Sequence, residues 1–261
     1  MGIVMRKDYN SYNRQSVLAP YPPYTEDVYI GRRSPVVSVV LRTRNEIHGI
    51  RQCIEAIRSQ KYEGEIEIVV VDNCSTDGTD KVSQSLASKF LEIYDYKPGR
   101  ALNLGVENSV GEICIFTSAH CVPENPYWIE KLVEPFVIES ENAGKLAGVY
   151  GRQIPDKTSD FIDIKDMWTV FGPEERKQYI DPFFHNANSA IPKDILLKFP
   201  FDDSATNVED RIWARLVQSN GYFLYYSPWA RVIHSHGINH HKDLSHAERV
   251  VTSLKQYGVY E

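Results

Sequence analysis

The chain has 261 residues, of which 42% are hydrophobic and 25% are charged, so it can bury a sizeable core and does not have the composition of a disordered chain. Its net charge of −6 at pH 7 argues against an extended nucleic-acid surface, which needs clustered Lys and Arg side chains. A small anionic ligand needs only one local basic pocket and is still allowed.

The first part of the chain alternates two kinds of pattern. Residues 1–34 are rich in Tyr, Pro and Arg and have no periodicity, which predicts an extended arm. After it, short apolar runs typical of buried strands alternate with segments whose apolar residues recur at helical intervals. Strands are predicted at 36–41, 66–71, 91–94 and 113–116, and helices at 46–59, 79–90, 101–109 and 127–139. The alternation predicts an α/β fold with a mainly parallel sheet flanked by helices.

The pattern is less regular after residue 145. Strands are predicted at 146–150 and 223–226 and a helix at 207–218, whereas 156–182 is predicted to be an irregular insert rich in aromatic and charged residues. No linker is visible, so 35–239 is predicted to be one domain with a Rossmann-like nucleotide-binding half and an acceptor-binding half. Helical spacing in 240–261 predicts a C-terminal helical tail, whose irregularly spaced histidines are expected to be solvated.

Four cysteines and the absence of long apolar runs bear on location. The cysteines have no paired metal-ligand spacing, and the sequence shows neither the apolar stretch of a signal peptide nor a run long enough to cross a membrane. These features predict reduced thiols and a cytoplasmic protein, with at most a peripheral contact at the inner face of a membrane.

Polar residues follow three of the predicted strands. The first strand runs into Arg42-Thr43-Arg44-Asn45-Glu46, the second into residues 72–79, and the fourth into Thr117-Ser118-Ala119-His120-Cys121. Ligands of open parallel sheets bind at the carboxyl ends of the strands, where helix N-termini offer donors to phosphate. The three loops are therefore predicted to line one crevice, although the second loop alone would be explained as a capped turn.

Together these segments resemble the family 2 glycosyltransferases, which have the GT-A fold. The resemblance spans about 35–236 and rests on Thr43-Arg44-Asn45-Glu46, Asp72-Asn73-x-Ser75-x-Asp77-Gly78-Thr79, Gly99-Arg100-Ala101-x-Asn103-x-Gly105 and Gly111-Glu112. Later matches are Phe201-Asp202-Asp203, Glu209-Asp210, Tyr226-x-Pro228 and His234-x-His236. The combined order is far more specific than any single motif.

The resemblance implies an inverting glycosyltransferase of polysaccharide or glycoconjugate biosynthesis. It would move a sugar from a nucleotide-sugar donor to a glycan or lipid-linked acceptor, with Asp210 as general base beside Glu209. Direct displacement agrees with this, since it needs a carboxylate for the acceptor proton and positive charge for the departing diphosphate. The predicted donor-site residues are Thr43, Arg44, Asn45, Glu46, Asp72, Asn73, Arg100, Asn103, Ser118, Ala119 and His120. The predicted acceptor-site residues are His185, Asn186 and Asn188.

One motif departs from the family pattern. The family usually places Asp-x-Asp after the fourth strand to hold a divalent cation, and this chain has Ser118-Ala119-His120 there. Either Mn²⁺ or Mg²⁺ is held in an altered form, by His120 with His234 or His236, or the enzyme works without a metal and the histidines and Arg100 supply the positive charge. An arbitrary histidine is more often buried and hydrogen-bonded than a ligand, but the position of His120 favours contact with the donor phosphate or a phosphate-bound metal. Cys121 is expected to be a small buried residue rather than a nucleophile.

Two other functions compete with this one. A sugar nucleotidyltransferase would need a Gly-rich phosphate loop after the first strand, and 42–46 contains no glycine. A degenerate protein could bind a nucleotide sugar without turning it over, but the presence of Asp210 argues against it. A donor-hydrolysis assay separates binding from transfer.

Overall fold

A computed structural model of the chain describes residues 33–139, 145–234 and 244–260. The predicted arm therefore lies outside the described residues except at 33–34, as do His236 and 240–243 of the predicted tail. The strands are β1 Val37–Thr43, β2 Ile66–Asp72, β3 Lys89–Glu92, β4 Ile113–Ser118, β5 Cys121–Pro123, β6 Leu146–Ile154, β7 Arg176–Gln178, β8 Asn188–Pro192 and β9 Phe223–His234. The helices are α1 Ile50–Arg58, α2 Thr79–Leu86, α3 Pro98–Glu107, α4 Trp128–Glu139, α5 Phe161–Val170, α6 Lys193–Lys198, α7 Glu209–Ser219 and α8 Leu244–Gln256.

All described strands join one sheet, in the order β3-β2-β1-β4-β8-β6-β9-β5, with β7 paired to β9. The pairings among β3, β2, β1 and β4 are parallel, as the alternation predicts. Beyond β4 the sheet is mixed, because β8 is antiparallel to both β4 and β6 while β6 and β9 are parallel. The predicted α/β fold is confirmed, and its parallel part is the predicted nucleotide-binding half.

The central strands are buried on both faces, as their uninterrupted apolar runs predict. Successive side chains of a strand point to opposite faces, so Val39 and Leu41 of β1 pack in one core cluster with Ile54 of α1. Val40 points the other way and packs with Leu102 of α3 in the second cluster. Helices on both faces thus fix β1 in place, and the loop after its carboxyl end projects from a rigid strand.

The prediction of an irregular insert at 156–182 is wrong. This segment contains α5, which begins where the Asp160 side chain accepts hydrogen bonds from the backbone N–H groups of Ile162 and Asp163, and the short strand β7. The helix escaped prediction because its large apolar residues face outward: Phe161 is 90% exposed and Trp168 is 58% exposed. Its sequence therefore lacks the apolar face that signals a core-packed helix.

The second half also contains elements that the pattern does not predict. Strand β8, helix α6 and strand β5 are short, and β9 continues to His234, beyond the strand that the apolar pattern predicts at 223–226. The family resemblance extends this strand through 234–236, and β9 agrees with it as far as His234. Pro228 interrupts the strand pattern, and the pairing of β9 with β6 is irregular between Gly151 and Arg152. The predicted helix of the tail is confirmed as α8. None of the described helices is long and apolar enough to cross a membrane.

Candidate active site

A pocket of about 430 Å³ opens at the carboxyl ends of β1, β2 and β4. Eight predicted site residues line it: Thr43, Arg44, Glu46, Asn73, Ser118, His120, His185 and His234. Arg42, Tyr96 and Ala187 line it as well and were not predicted. The three predicted loops therefore meet, because the strands that precede them are parallel neighbours in the sheet.

The end of β1 supplies a hydroxyl and a bridge between loops. The Thr43 side chain is buried, and its Oγ1 has no hydrogen-bond partner within the described ranges, which suits a polar contact to a ligand in the pocket. Asn45 has a left-handed backbone with φ of 53°, a conformation that asparagine tolerates. Its Oδ1 accepts from the Thr76 N–H at 2.8 Å and its N–H donates to Ser75 Oγ at 2.9 Å. Asn45 thus ties the first loop to the second.

Asp72 shapes the second loop from within. Its side chain is fully buried. One carboxylate oxygen accepts from the Ser75 N–H at 2.7 Å, and the other accepts from the Ser75 hydroxyl at 2.6 Å. A side chain that bonds the backbone three residues further along holds the loop in a fixed turn. Asp72 therefore acts on the pocket through the loop, and the neighbouring Asn73 is the residue of this strand end that lines the pocket.

Nine described residues of the predicted site do not line the pocket: Asn45 and Asp72 above, Asn186, Glu209 and Asp210 below, and four whose surroundings explain why. The Asn103 amide donates to the Phe201 carbonyl at 2.9 Å and accepts from the Phe201 N–H at 3.1 Å, so it fastens α3 to the loop before α7. Arg100 pairs with Asp95 on the surface, and Ala119 is fully buried.

Asn188 is the fourth, and it is a core amide. Its Oδ1 accepts from Trp128 Nε1–H at 2.8 Å, and its Nδ2 donates to the carbonyls of Arg152 and Ala230 at 3.1 and 2.8 Å. All of its hydrogen-bonding groups are engaged and the residue is fully buried, so the structure ties α4, β6 and β9 together through it. The prediction that Asn188 binds the acceptor conflicts with this placement.

Two acidic residues occupy the first turn of α7. Val208 precedes them with a left-handed backbone of φ 54°. Asp210 accepts from the Asn186 N–H at 3.2 Å and from the Arg211 N–H at 2.8 Å. Asn186 lies between His185 and Ala187, which both line the pocket. Its own side-chain oxygen accepts from the Ser189 hydroxyl at 3.1 Å.

The neighbouring Glu209 forms an ion pair with Arg42, with Oε1 and Nη1 3.0 Å apart and the side chains 8% and 16% exposed. Burial raises the pKa of the Glu209 carboxyl, against the lowering effect of Arg42. Burial also raises the pKa of Asp210, against the lowering effect of Arg211. A carboxylate with a raised pKa accepts a proton more readily near neutral pH, which is the property required of a general base.

His185 is a neutral imidazole at the pocket wall. Burial, with a smaller contribution from the nearby Arg211, lowers its pKa to about 3. Its Nδ1 accepts a hydrogen bond from the Ala187 N–H at 3.3 Å, which places the ring proton on Nε2. His185 therefore brings a hydrogen-bond donor without charge close to the carboxylate pair.

Two other histidines that line the pocket stack on each other. The rings of His120 and His234 have centroids 5.2 Å apart and planes inclined by 20°. Nδ1 of His120 lies 2.8 Å from Glu46 Oε1, and Nδ1 of His234 lies 2.6 Å from Gln153 Oε1. Hydrogen bonds from Nδ1–H to such acceptors are typical of metal-ligating histidines, since they leave the Nε2 lone pair to the metal.

Cys121 joins this pair. His120, Cys121 and His234 each offer one ligand atom, and these three atoms lie within 4.8 Å of one another. In the described part of the chain, no other group of three or more His, Cys, Asp or Glu residues has the spacing to hold a metal ion. Cys121 is fully buried, and burial raises the pKa of its thiol well above its ordinary value. The group contains imidazole and sulfur atoms, so its chemistry fits a transition-metal cation better than Mg²⁺.

Comparisons with known proteins show the family to which the chain belongs. The model of a family described as glycosyl transferase family 2 matches residues 38–198. Glycosyltransferase AglE of Haloferax volcanii is 36% identical over 104 residues, covering 37% of this chain and 34% of its own. A dolichyl N-acetyl-alpha-D-glucosaminyl phosphate 3-beta-D-2,3-diacetamido-2,3-dideoxy-beta-D-glucuronosyltransferase of Methanococcus voltae is 32% identical over 123 residues, which is 44% of this chain and 38% of that protein. The chain thus matches little more than a third of the length of these relatives.

Among solved structures, the mannosyltransferase PcManGT from Pyrobaculum calidifontis, in complex with GDP-Man and Mn²⁺, superposes with a TM-score of 0.67 at 21% identity. The superposition covers 86% of this chain and 63% of that one. At this level of identity the likeness concerns the fold alone.

Proposed function

Since the chain belongs to glycosyl transferase family 2, we propose that it is an inverting glycosyltransferase that moves a sugar from a nucleotide-sugar donor to an acceptor hydroxyl. The observation that carries the proposal is the acidic pair of buried Glu209 and half-buried Asp210, which Arg42 and the Asn186 N–H hold beside the pocket. Asp210 takes the proton of the acceptor hydroxyl as that oxygen bonds to the anomeric carbon. The bond from this carbon to the diphosphate breaks on the opposite side, and the diphosphate leaves with the electron pair.

The donor fits the part of the pocket at the ends of β1, β2 and β4. The unpartnered Thr43 hydroxyl and the amide of Asn73 offer hydrogen bonds to the nucleoside, and Tyr96 offers an aromatic edge or face. GDP-Man in the related fold of PcManGT supports a nucleoside diphosphate sugar as the class of donor. The diphosphate would then lie toward His120.

A divalent cation fits beside the diphosphate. When bound, it would neutralise the charge that develops on the leaving group. His120 and His234 would hold it, while Glu46 and Gln153 fix the two rings through their Nδ1 atoms. The Mn²⁺ in the PcManGT complex supports this assignment. Chelator should abolish transfer and Mn²⁺ should restore it, whereas full chelator-resistant activity in His120→Ala across the pH range would contradict any role of His120 at the diphosphate.

The acceptor side lies around His185 and the backbone of Asn186. The name of the Methanococcus voltae relative describes transfer to a dolichyl-phosphate-linked sugar, which supports a glycan or lipid-linked acceptor for this chain. The neutral Nε2–H of His185 can donate a hydrogen bond to an acceptor oxygen next to the base. We propose that the enzyme acts in the cytoplasm and uses a nucleotide-sugar donor from there.

The test of the proposal is Asp210→Asn, assayed by release of nucleoside diphosphate from a panel of GDP and UDP sugars. Turnover should fall by about 10²–10⁴ while donor affinity changes by no more than a few-fold. Asp203→Asn removes a carboxylate of the adjacent loop, which contacts Asn103 outside the pocket, and should leave turnover near normal. Near-normal transfer by Asp210→Asn would remove this residue from the role of base. A protein that binds donor but releases no diphosphate would be the degenerate binder instead.

A further inference from the structure

We infer that Cys121 is a third protein ligand of the metal site, so that two imidazoles and one thiolate form a site for Zn²⁺-like cations rather than for Mg²⁺. The inference rests on the proposed metal site of His120 and His234, and it goes beyond that proposal because it adds a ligand and selects the class of cation. Its basis is the position of the three ligand atoms, which lie within 4.8 Å of one another.

The backbone holds two of the ligands on one face. Strand β5 is antiparallel to β9, and in this pairing Cys121 lies directly opposite His234. Residues directly opposite each other in an antiparallel pair project to the same face, with Cβ atoms about 4.5–5.5 Å apart. The register of two paired strands, and not a chance side-chain rotamer, therefore brings sulfur and imidazole together. His120 precedes β5 and stacks on the His234 ring.

Hydrogen bonds hold both histidine rings of the site in place. Glu46 and Gln153 each lie at the Nδ1 atom of one histidine, at 2.8 and 2.6 Å. Glu46 therefore accepts a hydrogen bond from His120 and is not itself a member of the ligand group. The three-residue ligand group contains no carboxylate. Three protein ligands with one position left for substrate is the arrangement of catalytic zinc sites. Here a phosphate oxygen of the donor would take that position.

The ligand set determines which cation is preferred. Mg²⁺ requires oxygen ligands in octahedral geometry, which this group does not provide. Imidazole and thiolate favour Zn²⁺, and Co²⁺ adopts the same tetrahedral sites. Binding converts the Cys121 thiol to a metal-bound thiolate and releases its proton to solvent. Cys121 is fully buried and does not line the pocket, so its sulfur would bind the cation without occupying the donor's place.

The experiment titrates the metal-free full chain with Co²⁺ and records its absorption spectrum. The wild type should show tetrahedral visible bands and an intense near-ultraviolet band from thiolate-to-Co²⁺ charge transfer. Cys121→Ser should lose the near-ultraviolet band and bind Co²⁺ at least about tenfold more weakly through the remaining imidazoles. Cys114→Ser is the matched control, because Cys114 is also a buried thiol but contacts Ser109 at 3.5 Å, and its spectrum should match the wild type.

The outcomes separate this inference from the proposed function. Co²⁺ binding to the wild type without the charge-transfer band, or a band that persists in Cys121→Ser, overturns the sulfur ligand and leaves the transferase proposal standing. No Co²⁺ binding overturns the metal site as a whole, while diphosphate release in chelator would still show transfer. If Cys121→Ser does not fold, competition on the wild type decides: a tenfold excess of Mg²⁺ should leave the Co²⁺ spectrum unchanged, and displacement by Mg²⁺ overturns the inference.

Discussion

Removal of Arg42 from its buried ion pair with Glu209 should strongly destabilise the fold, and Arg42→Met is the change that tests this. Methionine keeps most of the aliphatic length of arginine but leaves the Glu209 carboxylate without its partner. The two charged groups are 3.0 Å apart and their side chains are only 16% and 8% exposed. Water therefore compensates little for the lost charge.

The magnitude follows from distance and burial. With charge centres about 4 Å apart and an effective dielectric constant near 20, the attraction is about 4 kcal/mol. Removing one partner of a buried pair typically costs about 3–5 kcal/mol, because the other charge stays buried and uncompensated. We expect Arg42→Met to lower the free energy of unfolding by this amount at pH 7.

The pH dependence has a defined sign. The Glu209 carboxyl already has a raised pKa because of burial, and loss of Arg42 raises it further. A carboxyl whose folded pKa exceeds its unfolded value contributes most stability below the unfolded pKa, and this contribution is lost as pH rises through the folded pKa. The deficit of Arg42→Met should therefore shrink as the pH is lowered toward about 4. The double variant with Glu209→Gln should recover most of the loss at pH 7.

Urea unfolding of the two single variants and the double variant measures this pair energy without reference to catalysis. The control is Arg33→Met, since Arg33 and Glu112 also form an ion pair, at 2.5 Å, but are 72% and 50% exposed. This exposed pair should contribute no more than about 1 kcal/mol. If Arg42→Met costs no more than the control, or if its deficit grows on acidification, the electrostatic reasoning is wrong.

Three further predictions concern the base and its frame. Val208→Gly should be at least as stable as the wild type, because a left-handed backbone with φ of 54° costs a β-branched residue about 1–2 kcal/mol. Arg215→Gly, inside the following helix α7, should lower the free energy of unfolding by about 1 kcal/mol. Equal losses of stability in the two variants would contradict backbone strain at Val208. Asn188→Ala should lower the free energy of unfolding by about 3 kcal/mol or more, because it leaves the buried Trp128 N–H and Ala230 carbonyl without their hydrogen bonds. The control Asn220→Ala, at the exposed end of α7, should change this free energy by about 0.5 kcal/mol or less. Because burial raises the pKa of Asp210, kcat/KM should fall on acidification through a value above the ordinary aspartate pKa of about 3.9, and a limb at or below that value would argue against Asp210.

The strand ends were the predictable part of the site. Apolar runs and helical spacing locate β1, β2 and β4, and parallel pairing then requires their carboxyl ends to meet. Thr43, Asn73, Ser118 and His120 reach the pocket for this reason. A motif does not specify which way a side chain turns, and Asp72 turns inward to hold Ser75.

The rest of the site depends on contacts between distant segments. The side-chain amides of Asn103 and Asn188 could bind a ligand, but in the fold they donate hydrogen bonds to the backbone carbonyls of Phe201 and Ala230 instead. Cys121 was expected to be only a small buried residue, and its burial is confirmed. Its place beside His234 follows from the register of β5 on β9, which no local pattern encodes.

Strand β9 also determines when the site can form. It pairs with β5, β6 and β7, and it carries both His234 and the carbonyl that accepts from Asn188. Pairings between distant segments require closure of long loops and form slowly. During synthesis the parallel half at 37–118 leaves the ribosome first, with the edge of β4 open until β8 pairs with it. A chain that stops before β9 would then leave the second edge of β6 unpaired, since β6 otherwise pairs with β8. An open edge invites intermolecular pairing, so such a chain would be a target for aggregation and proteolysis rather than a smaller donor-binding domain.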